Sequence, residues 1–116
     1  MLPQFMKLVE EAKKDVKEID VQELRRMLPQ GGFTLLDVRE PQEVMRGKIT
    51  GAVPIPRGVL ESQIDQATSN FDEPIVLYCA SGNRSALAAQ SLKKMGFTNV
   101  SSLIGGWKAW MESGGG

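Results

Sequence analysis

Residues 75 to 90 read IVLYCASGNRSALAAQ, and this stretch decides the fold class and places the only cysteine of the chain, Cys79. The first four residues, Ile75 to Tyr78, are all apolar β-formers, which is typical of a strand that is buried on both faces. From Ser85 onwards the residues are mostly small helix-formers. The stretch therefore predicts a strand, a short turn and a helix, with Cys79 at the carboxyl end of the strand.

The same alternation continues through the rest of the chain. The predicted helices cover residues 3–17, 21–28, 40–47, 59–68, 85–95 and 105–112, and the predicted strands cover residues 18–20, 33–38, 51–56, 75–78 and 99–103. Asp20 is a predicted N-cap, and Gly96 stands where a helix commonly ends. Strands that alternate with helices predict an α/β protein of three layers, α/β/α, with a central parallel sheet.

A length of 116 residues indicates one domain, which we expect over residues 19–112. Residues 1–18 form an N-terminal segment built on an amphipathic helix, in which apolar side chains recur every three or four positions. Its polar face mixes acidic and basic residues, so we expect it to cover the core or to dock on a protein rather than a membrane. Residues 113–116, SGGG, are predicted to be a flexible tail.

Composition excludes several classes of function. The 14 basic and 14 acidic residues balance, so neither nucleic acid nor an anionic membrane is an expected partner. With no histidine and one cysteine, the chain offers no internal disulfide, no ordinary zinc site and no Cys-His or Ser-His pair, and no cofactor is expected. A free thiol without a recognisable export signal or membrane span predicts a cytoplasmic protein.

The turn after Cys79 is suited to holding an anion. Gly82 can adopt a positive φ, and Asn83 tolerates it better than most residues. Backbone N–H groups of such a turn, together with a helix N-terminus, can stabilise a thiolate without a histidine. Arg84 would oppose the helix dipole unless it contacts an anion. Taken singly, Cys79 could be an inert buried cysteine and Arg84 a solvated cation, but the combination favours a nucleophile.

The chain from Ile19 to Met111 resembles the rhodanese family of sulfurtransferases. The resemblance is carried by four segments in the family's order: LLDVREPQEV, GKITGAVPIP, YCASGNRSA and LIGGWKAW. One departure is Lys48-Ile49-Thr50, where the family commonly has His-Ile-Pro, and this could alter the charge at the rim of the site. The resemblance implies a rhodanese-like fold, and it does not include the N-terminal helix.

The resemblance also implies a role for each residue of the loop. Cys79 would take a sulfane sulfur from an anionic donor, thiosulfate or a polysulfide, and pass it as a persulfide to a thiol or cyanide. The amides of the loop would cradle the sulfur, Arg84 would help to hold the donor, and Ser85 could donate a further hydrogen bond. The substrate-binding positions are Ala80, Ser81, Gly82, Asn83, Arg84 and Ser85.

Three further residues are candidates for the rim of the site. Asp37 and Arg39 follow a predicted strand, where they are expected to form an ion pair or, less favourably, to contact substrate directly. Arg57 could attract anionic donors, although a solvated surface position fits it equally well.

Alternative functions stay open. The chain could be a carrier that passes a persulfide to a protein acceptor, or a binding module without catalysis. Phosphatases and arsenate reductases that share the fold have a Cys-x5-Arg loop, whereas only four residues separate Cys79 from Arg84. The shorter loop and its lack of a carboxylate favour sulfur transfer.

Overall fold

The computed structural model describes all residues, 1–116, and contains a sheet of five parallel strands. The strands are β1 (Lys17–Ile19), β2 (Thr34–Asp37), β3 (Val53–Pro54), β4 (Ile75–Tyr78) and β5 (Val100–Leu103), in the spatial order β1-β5-β4-β2-β3. The apolar run of β4 lies at the centre of this sheet, and all four of its residues are buried. The prediction of a central parallel sheet is confirmed.

Six helices surround the sheet. They are α1 (Pro3–Asp15), α2 (Val21–Met27), α3 (Pro41–Val44), α4 (Leu60–Gln63), α5 (Asn83–Lys94) and α6 (Gly106–Glu112). Asp20 caps α2 as predicted, because its side chain accepts a hydrogen bond of 2.9 Å from the Glu23 N–H. None of the helices combines the length and the apolar character that crossing a membrane requires.

Side chains of β4 alternate between two hydrophobic clusters. Leu77 belongs to the cluster on one face of the sheet, which contains Leu92 of α5. Tyr78 belongs to the cluster on the other face, with Leu24 of α2 and Trp110 of α6. Because helices cover both faces, the structure has three layers, and the predicted α/β/α architecture is confirmed.

The N-terminal helix is part of the packed structure. Val9 and Ala12 of α1 are completely buried, and α1 contacts α5. Lys93 of α5 donates a 3.0 Å hydrogen bond to the Asp15 carboxylate at the end of α1. Whether residues 1–18 form a unit separate from residues 19–112 stays a prediction, as does the flexibility of residues 113–116.

Several predicted elements differ in their bounds. The predicted helix 40–47 is helical only over Pro41–Val44, and the predicted strand 51–56 is a strand only over Val53–Pro54. The predicted helix 3–17 ends at Asp15, because Val16 is extended and Lys17 pairs with Ser101 as the first residue of β1. The predicted helix 59–68 is broken into α4 and two 3₁₀ turns, Arg57–Val59 and Ile64–Gln66. Val59 and Gln63 cause these breaks, since their backbones have φ near −122° and −121° rather than helical values.

The carboxyl ends of β2 and β4 lie side by side. Asp37 is in register with Tyr78, and the Val38 N–H donates a 3.0 Å hydrogen bond to the Tyr78 carbonyl. The loop that follows β2 and the loop that contains Cys79 are therefore neighbours at the carboxyl ends of the strands. Parallel α/β sheets bind their ligands at this end.

Candidate active site

Cys79 lies directly after β4, and its sulfur is surrounded by hydrogen-bond donors. Sγ accepts hydrogen bonds from the Gly82 N–H at 3.1 Å and the Ser85 N–H at 3.3 Å. The Ser85 hydroxyl lies 3.5 Å from Sγ. Only 1% of the Cys79 residue is exposed. Donors directed at a sulfur stabilise negative charge on it, so the loop is built to hold a thiolate or another anionic sulfur.

The backbone at Gly82 gives the loop its curvature. Gly82 has φ of 100°, a conformation that residues with a Cβ adopt only with strain, and it is the N-cap of α5. Asn83 does not share this conformation, since no residue other than glycine has a positive φ. Asn83 is instead the first residue of α5, so the helix starts two residues before the predicted Ser85. The early start points the Ser85 N–H of the first helical turn at the sulfur.

The start of α6 closes the opposite side of the loop. The Trp107 N–H donates to the Cys79 carbonyl at 2.8 Å, and the Lys108 N–H donates to the Ala80 carbonyl at 3.1 Å. Gly106 permits this approach, because a Cβ at that position would lie 2.3 Å from the Cys79 carbonyl oxygen. The Gly-Gly sequence before Trp107 therefore lets one helix brace the backbone of the loop.

A second serine stands behind the sulfur. The Ser102 hydroxyl on β5 lies 2.8 Å from the Ser85 hydroxyl, and both side chains are completely buried. When Cys79 is a thiol, its S–H can donate to Ser85. When it is a thiolate, Ser85 can donate to Sγ while accepting from Ser102, so Ser102 keeps the Ser85 hydroxyl correctly oriented.

Arg84 is already engaged by a carboxylate. Its guanidinium donates to both oxygens of Glu43, at 2.8 and 3.0 Å. Glu43 also accepts the N–H of Glu40 in a capping box at the start of α3. The hydrogen bond from Arg84 is the largest cause that lowers the pKa of Glu43, to about 2. The pair joins the Cys79 loop to α3, and Glu43 is ionised at neutral pH.

Asp37 and Arg39 form the predicted ion pair. The two side chains are 0% and 3% exposed, and the Arg39 guanidinium bonds the Asp37 carboxylate at 2.7 Å. Burial alone would lower the pKa of Arg39, but the hydrogen bond and charge of Asp37 outweigh it, so the pKa is raised. Arg39 also donates to the Gly47 carbonyl and lies over the ring of Trp107. These contacts use most of the hydrogen-bonding capacity of Arg39 within the protein.

Tyr78 also contacts this ion pair, through a hydrogen bond with Asp37. Its hydroxyl accepts a hydrogen bond of 3.0 Å from the Ile49 N–H. Burial, followed by a hydrogen bond to Asp37, raises the pKa of Tyr78 far above its ordinary value. Tyr78 is therefore a neutral phenol that links β4 to the segment before β3.

A cavity of about 310 Å³ opens beside the loop. The residues that line it come from the segment after β2, from the Cys79 loop and from α6: Arg39, Gln42, Glu43, Arg46, Ala80 and Trp107. Ala80 follows Cys79 in the chain, so the cavity lies beside the Cys79 loop, although the buried Cys79 side chain does not line it. Four of the six lining residues are polar or charged, so the cavity can contact both the polar and the apolar parts of a ligand.

The structure brings only some of the predicted residues to the sulfur. Gly82 and Ser85 contact Sγ, whereas Ser81 is exposed and Arg84 contacts Glu43. Arg57 pairs with Glu61 at 2.8 Å and does not line the cavity.

Sequence reasoning missed Glu43, Arg46 and Ser102. Of these, only Ser102 could have been predicted from the sequence. Two serines in a buried strand, VSSL, need hydrogen-bond partners for their hydroxyl groups.

The chain matches a known family over most of its length. The family model described as Rhodanese-like domain matches residues 20–113. The human thiosulfate:glutathione sulfurtransferase is 31% identical over 106 residues, covering 81% of this chain and 92% of that protein. The uncharacterized protein YqhL of Bacillus subtilis is 43% identical over 76 residues, covering 66% of this chain. The match spans only 59% of the length of the Bacillus protein.

Solved structures give the same fold. The polysulfide-sulfur transferase homodimer of Wolinella succinogenes aligns with a TM-score of 0.83 and 29% identity, covering 97% of this chain and 85% of that one. A Rhodopseudomonas palustris protein of unknown function, described as a possible tyrosine phosphatase, also aligns with a TM-score of 0.83. It is 31% identical, and the alignment covers 97% of this chain and 92% of that one.

Proposed function

The chain belongs to the rhodanese family, and from this premise we propose that it is a sulfurtransferase that works through a persulfide on Cys79. The donor is a small anion with a sulfane sulfur, thiosulfate or a polysulfide, and the acceptor is a thiol or cyanide. We place the reaction in the cytoplasm, because a reducing compartment keeps a thiol such as Cys79 available for reaction. The observation that carries it is the Cys79 sulfur held by the Gly82 and Ser85 N–H groups beside an open cavity.

The reaction divides into two displacements. The Cys79 thiolate attacks the outer sulfur of thiosulfate, the S–S bond breaks, and sulfite leaves with the bonding electron pair. The resulting persulfide carries a negative charge on its outer sulfur. An acceptor thiolate then attacks that outer sulfur, and Cys79 leaves as a thiolate, which restores the protein. Because the chain has one cysteine, an external acceptor must discharge the persulfide.

Each displacement needs stabilisation of charge on the Cys79 sulfur. The thiolate is the attacking group in the first step and the leaving group in the second, so donors fixed around Sγ favour both. Gly82 and Ser85 supply these donors, and no histidine is needed. The near-complete burial of Cys79 favours a small donor that can reach the sulfur through the loop.

The charge state of Glu43 weakens the phosphatase alternative. A phosphatase needs a protonated acid close to the leaving oxygen. Glu43 is the carboxyl group that lines the cavity, and its pKa of about 2 keeps it ionised at neutral pH. Sulfur transfer has no such requirement, since sulfite leaves as an anion.

Intact-protein mass spectrometry tests the proposal. Purified protein is treated with thiosulfate or with polysulfide, and the mass of one added sulfur atom is expected on the wild type. Cyanide or dithiothreitol should remove it, and Cys79→Ser should show no gain. Ser69→Ala is the control, because Ser69 is exposed and lies outside the Cys79 loop, so this variant should still allow loading.

The possible outcomes separate the alternatives. Absence of the adduct with both donors, in protein shown to be folded by circular dichroism, contradicts the proposal. Loading from a protein persulfide alone would indicate a carrier, and no loading from any source would indicate a binding module. Hydrolysis of an aryl phosphate without sulfur loading would favour the phosphatase.

A further inference from the structure

The cavity beside Cys79 is larger than a small inorganic donor requires. Its volume is about 310 Å³. With about 30 Å³ for each water-sized atom, the five heavy atoms of thiosulfate fill roughly half of it. Pockets for small organic ligands begin at about this size. The cavity therefore has room for an organic molecule beside the Cys79 loop.

The charges that line the cavity are not all compensated by the protein. Arg39 is paired with Asp37, and Glu43 is paired with Arg84. Arg46, in the turn after α3, lines the same cavity and has no carboxylate within 4.0 Å and no side-chain hydrogen bond to the protein. The lining consequently has one unbalanced positive charge, and it belongs to Arg46.

The other residues that line the cavity indicate what kind of ligand would fit beside Arg46. Gln42 offers an amide that can both donate and accept hydrogen bonds, and Trp107 offers an aromatic surface. A guanidinium binds a carboxylate through two parallel hydrogen bonds. An anionic group at Arg46, a short organic body beside Trp107 and a reactive end near Ala80 together describe a small thiol that carries a carboxylate.

We propose that this cavity binds the acceptor, and that Arg46 selects thiols that carry a carboxylate. The inference rests on the proposed function, because it concerns the second displacement. In that step the acceptor thiolate attacks the outer sulfur of the persulfide, a new S–S bond forms, and the bond to Cys79 breaks with its electron pair on Sγ. Arg46 takes no part in these bonds and acts by positioning the acceptor.

Single-turnover discharge with two matched thiols tests this role. The protein is loaded with thiosulfate, freed of excess donor and mixed with 3-mercaptopropionate or its neutral amide, 3-mercaptopropionamide. The rate ratio between the two thiols is measured for the wild type and for Arg46→Gln. Dividing one ratio by the other cancels the intrinsic reactivity of each thiol. Because Arg46 is exposed, we expect the preference for the carboxylate to fall about two- to fivefold in Arg46→Gln.

Two variants make the test specific. Arg26→Gln removes one positive charge from the exposed end of α2, outside the cavity, and should keep the wild-type ratio. Arg46→Lys keeps the charge without the planar guanidinium and should recover part of the preference. The preference should also fall as salt is added, because Arg46 is exposed.

The outcomes distinguish this proposal from the function on which it rests. If wild-type Cys79 does not load at all, the proposed function fails and the inference falls with it. If Cys79 loads but the ratio is unchanged in Arg46→Gln, or falls equally in Arg26→Gln, only the inference is overturned. A defect confined to loading by thiosulfate would also overturn it, since Arg46 would then serve the donor.

Discussion

Two loops lie next to each other at the carboxyl edge of the sheet, and they use charge in opposite ways. In the loop after β2, Asp37 and Arg39 bury their charges against each other. In the loop after β4, the N–H groups of Gly82 and Ser85 donate to the Cys79 sulfur, which forms no ion pair with a basic side chain. The charges of the first loop neutralise each other, whereas the second loop directs hydrogen-bond donors at a sulfur that can carry a negative charge.

The difference shows how a rigid neighbour can support a reactive group. Donors around Cys79 stabilise charge only if the loop stays in place, because a mobile loop would need to reorganise as charge develops. Arg39 contributes to this rigidity through Asp37, Gly47 and Trp107. We therefore expect mutations in the first loop to lower stability and mutations around the second to lower sulfur loading.

The largest expected effect comes from breaking the buried pair. Asp37→Ala leaves the Arg39 guanidinium buried without its partner, which should lower the free energy of unfolding by about 3–5 kcal/mol. Urea denaturation at neutral pH measures the change. Glu23→Ala is the control, because it breaks an exposed pair with Arg26 and should cost no more than about 1 kcal/mol. Equal losses in the two variants would contradict the structural role of Asp37.

An intermediate effect is expected at Ser102. Ser102→Ala removes the group that orients the Ser85 hydroxyl, so the thiolate should be less stabilised and thiosulfate should load Cys79 more slowly. The loss of this buried hydrogen bond should also cost about 1–2 kcal/mol of stability.

The neighbouring serine provides the control. Ser101 lies on the same strand with its side chain on the opposite face of the sheet, and its hydroxyl has no side-chain hydrogen bond partner in the structure. Stopped-flow loading should therefore be unchanged in Ser101→Ala. Equal slowing by both variants would show that Ser102 acts through general stability rather than through Ser85.

The smallest effect concerns the pair that joins the two regions. The pKa of Glu43 in the folded protein is about 2, below its ordinary value of 4.5, so the pair stabilises the protein above pH 4.5 and this contribution is lost as the pH falls towards 2. Because Glu43 and Arg84 are about one-third exposed, the contribution should stay below about 1 kcal/mol.

Urea midpoints between pH 7 and pH 2.5 measure this contribution. Glu43→Gln should lose part of the acid dependence that the wild type shows. Glu10→Gln removes an exposed carboxylate of α1 that has no ion pair, and it should retain the wild-type dependence. If Glu43→Gln follows the wild-type curve, the pair does not stabilise the folded state.

Local patterns in the sequence predicted the central features of the fold. The unbroken apolar run of Ile75 to Tyr78 predicted the middle strand, and Gly82 predicted the turn that curves around the sulfur. Short-range chemistry sufficed here, because a strand end, a positive φ and a helix start are set by adjacent residues.

Long-range partners could not be predicted in the same way. Glu43 and Arg84 are 41 positions apart, and Ser85 and Ser102 are 17 apart, so their contacts depend on how the sheet aligns its strands. The expectation that Arg84 contacts an anion did not identify Glu43, whose carboxylate comes from another loop, and the role of Arg84 in binding a donor stays a prediction. The predicted helix 59–68 failed for a related reason, because a residue's helical propensity does not reveal breaks at Val59 and Gln63.

The brace between α6 and the Cys79 loop has a consequence during synthesis on the ribosome. Trp107 follows Cys79 by roughly 28 residues, which take about 1–6 seconds to add at about 5–20 residues per second. Until Gly106, Trp107 and Lys108 have emerged, the carbonyls of Cys79 and Ala80 lack the N–H groups that fix them. Cys79 of a nascent chain therefore leaves the ribosome before the residues that brace the backbone of its loop.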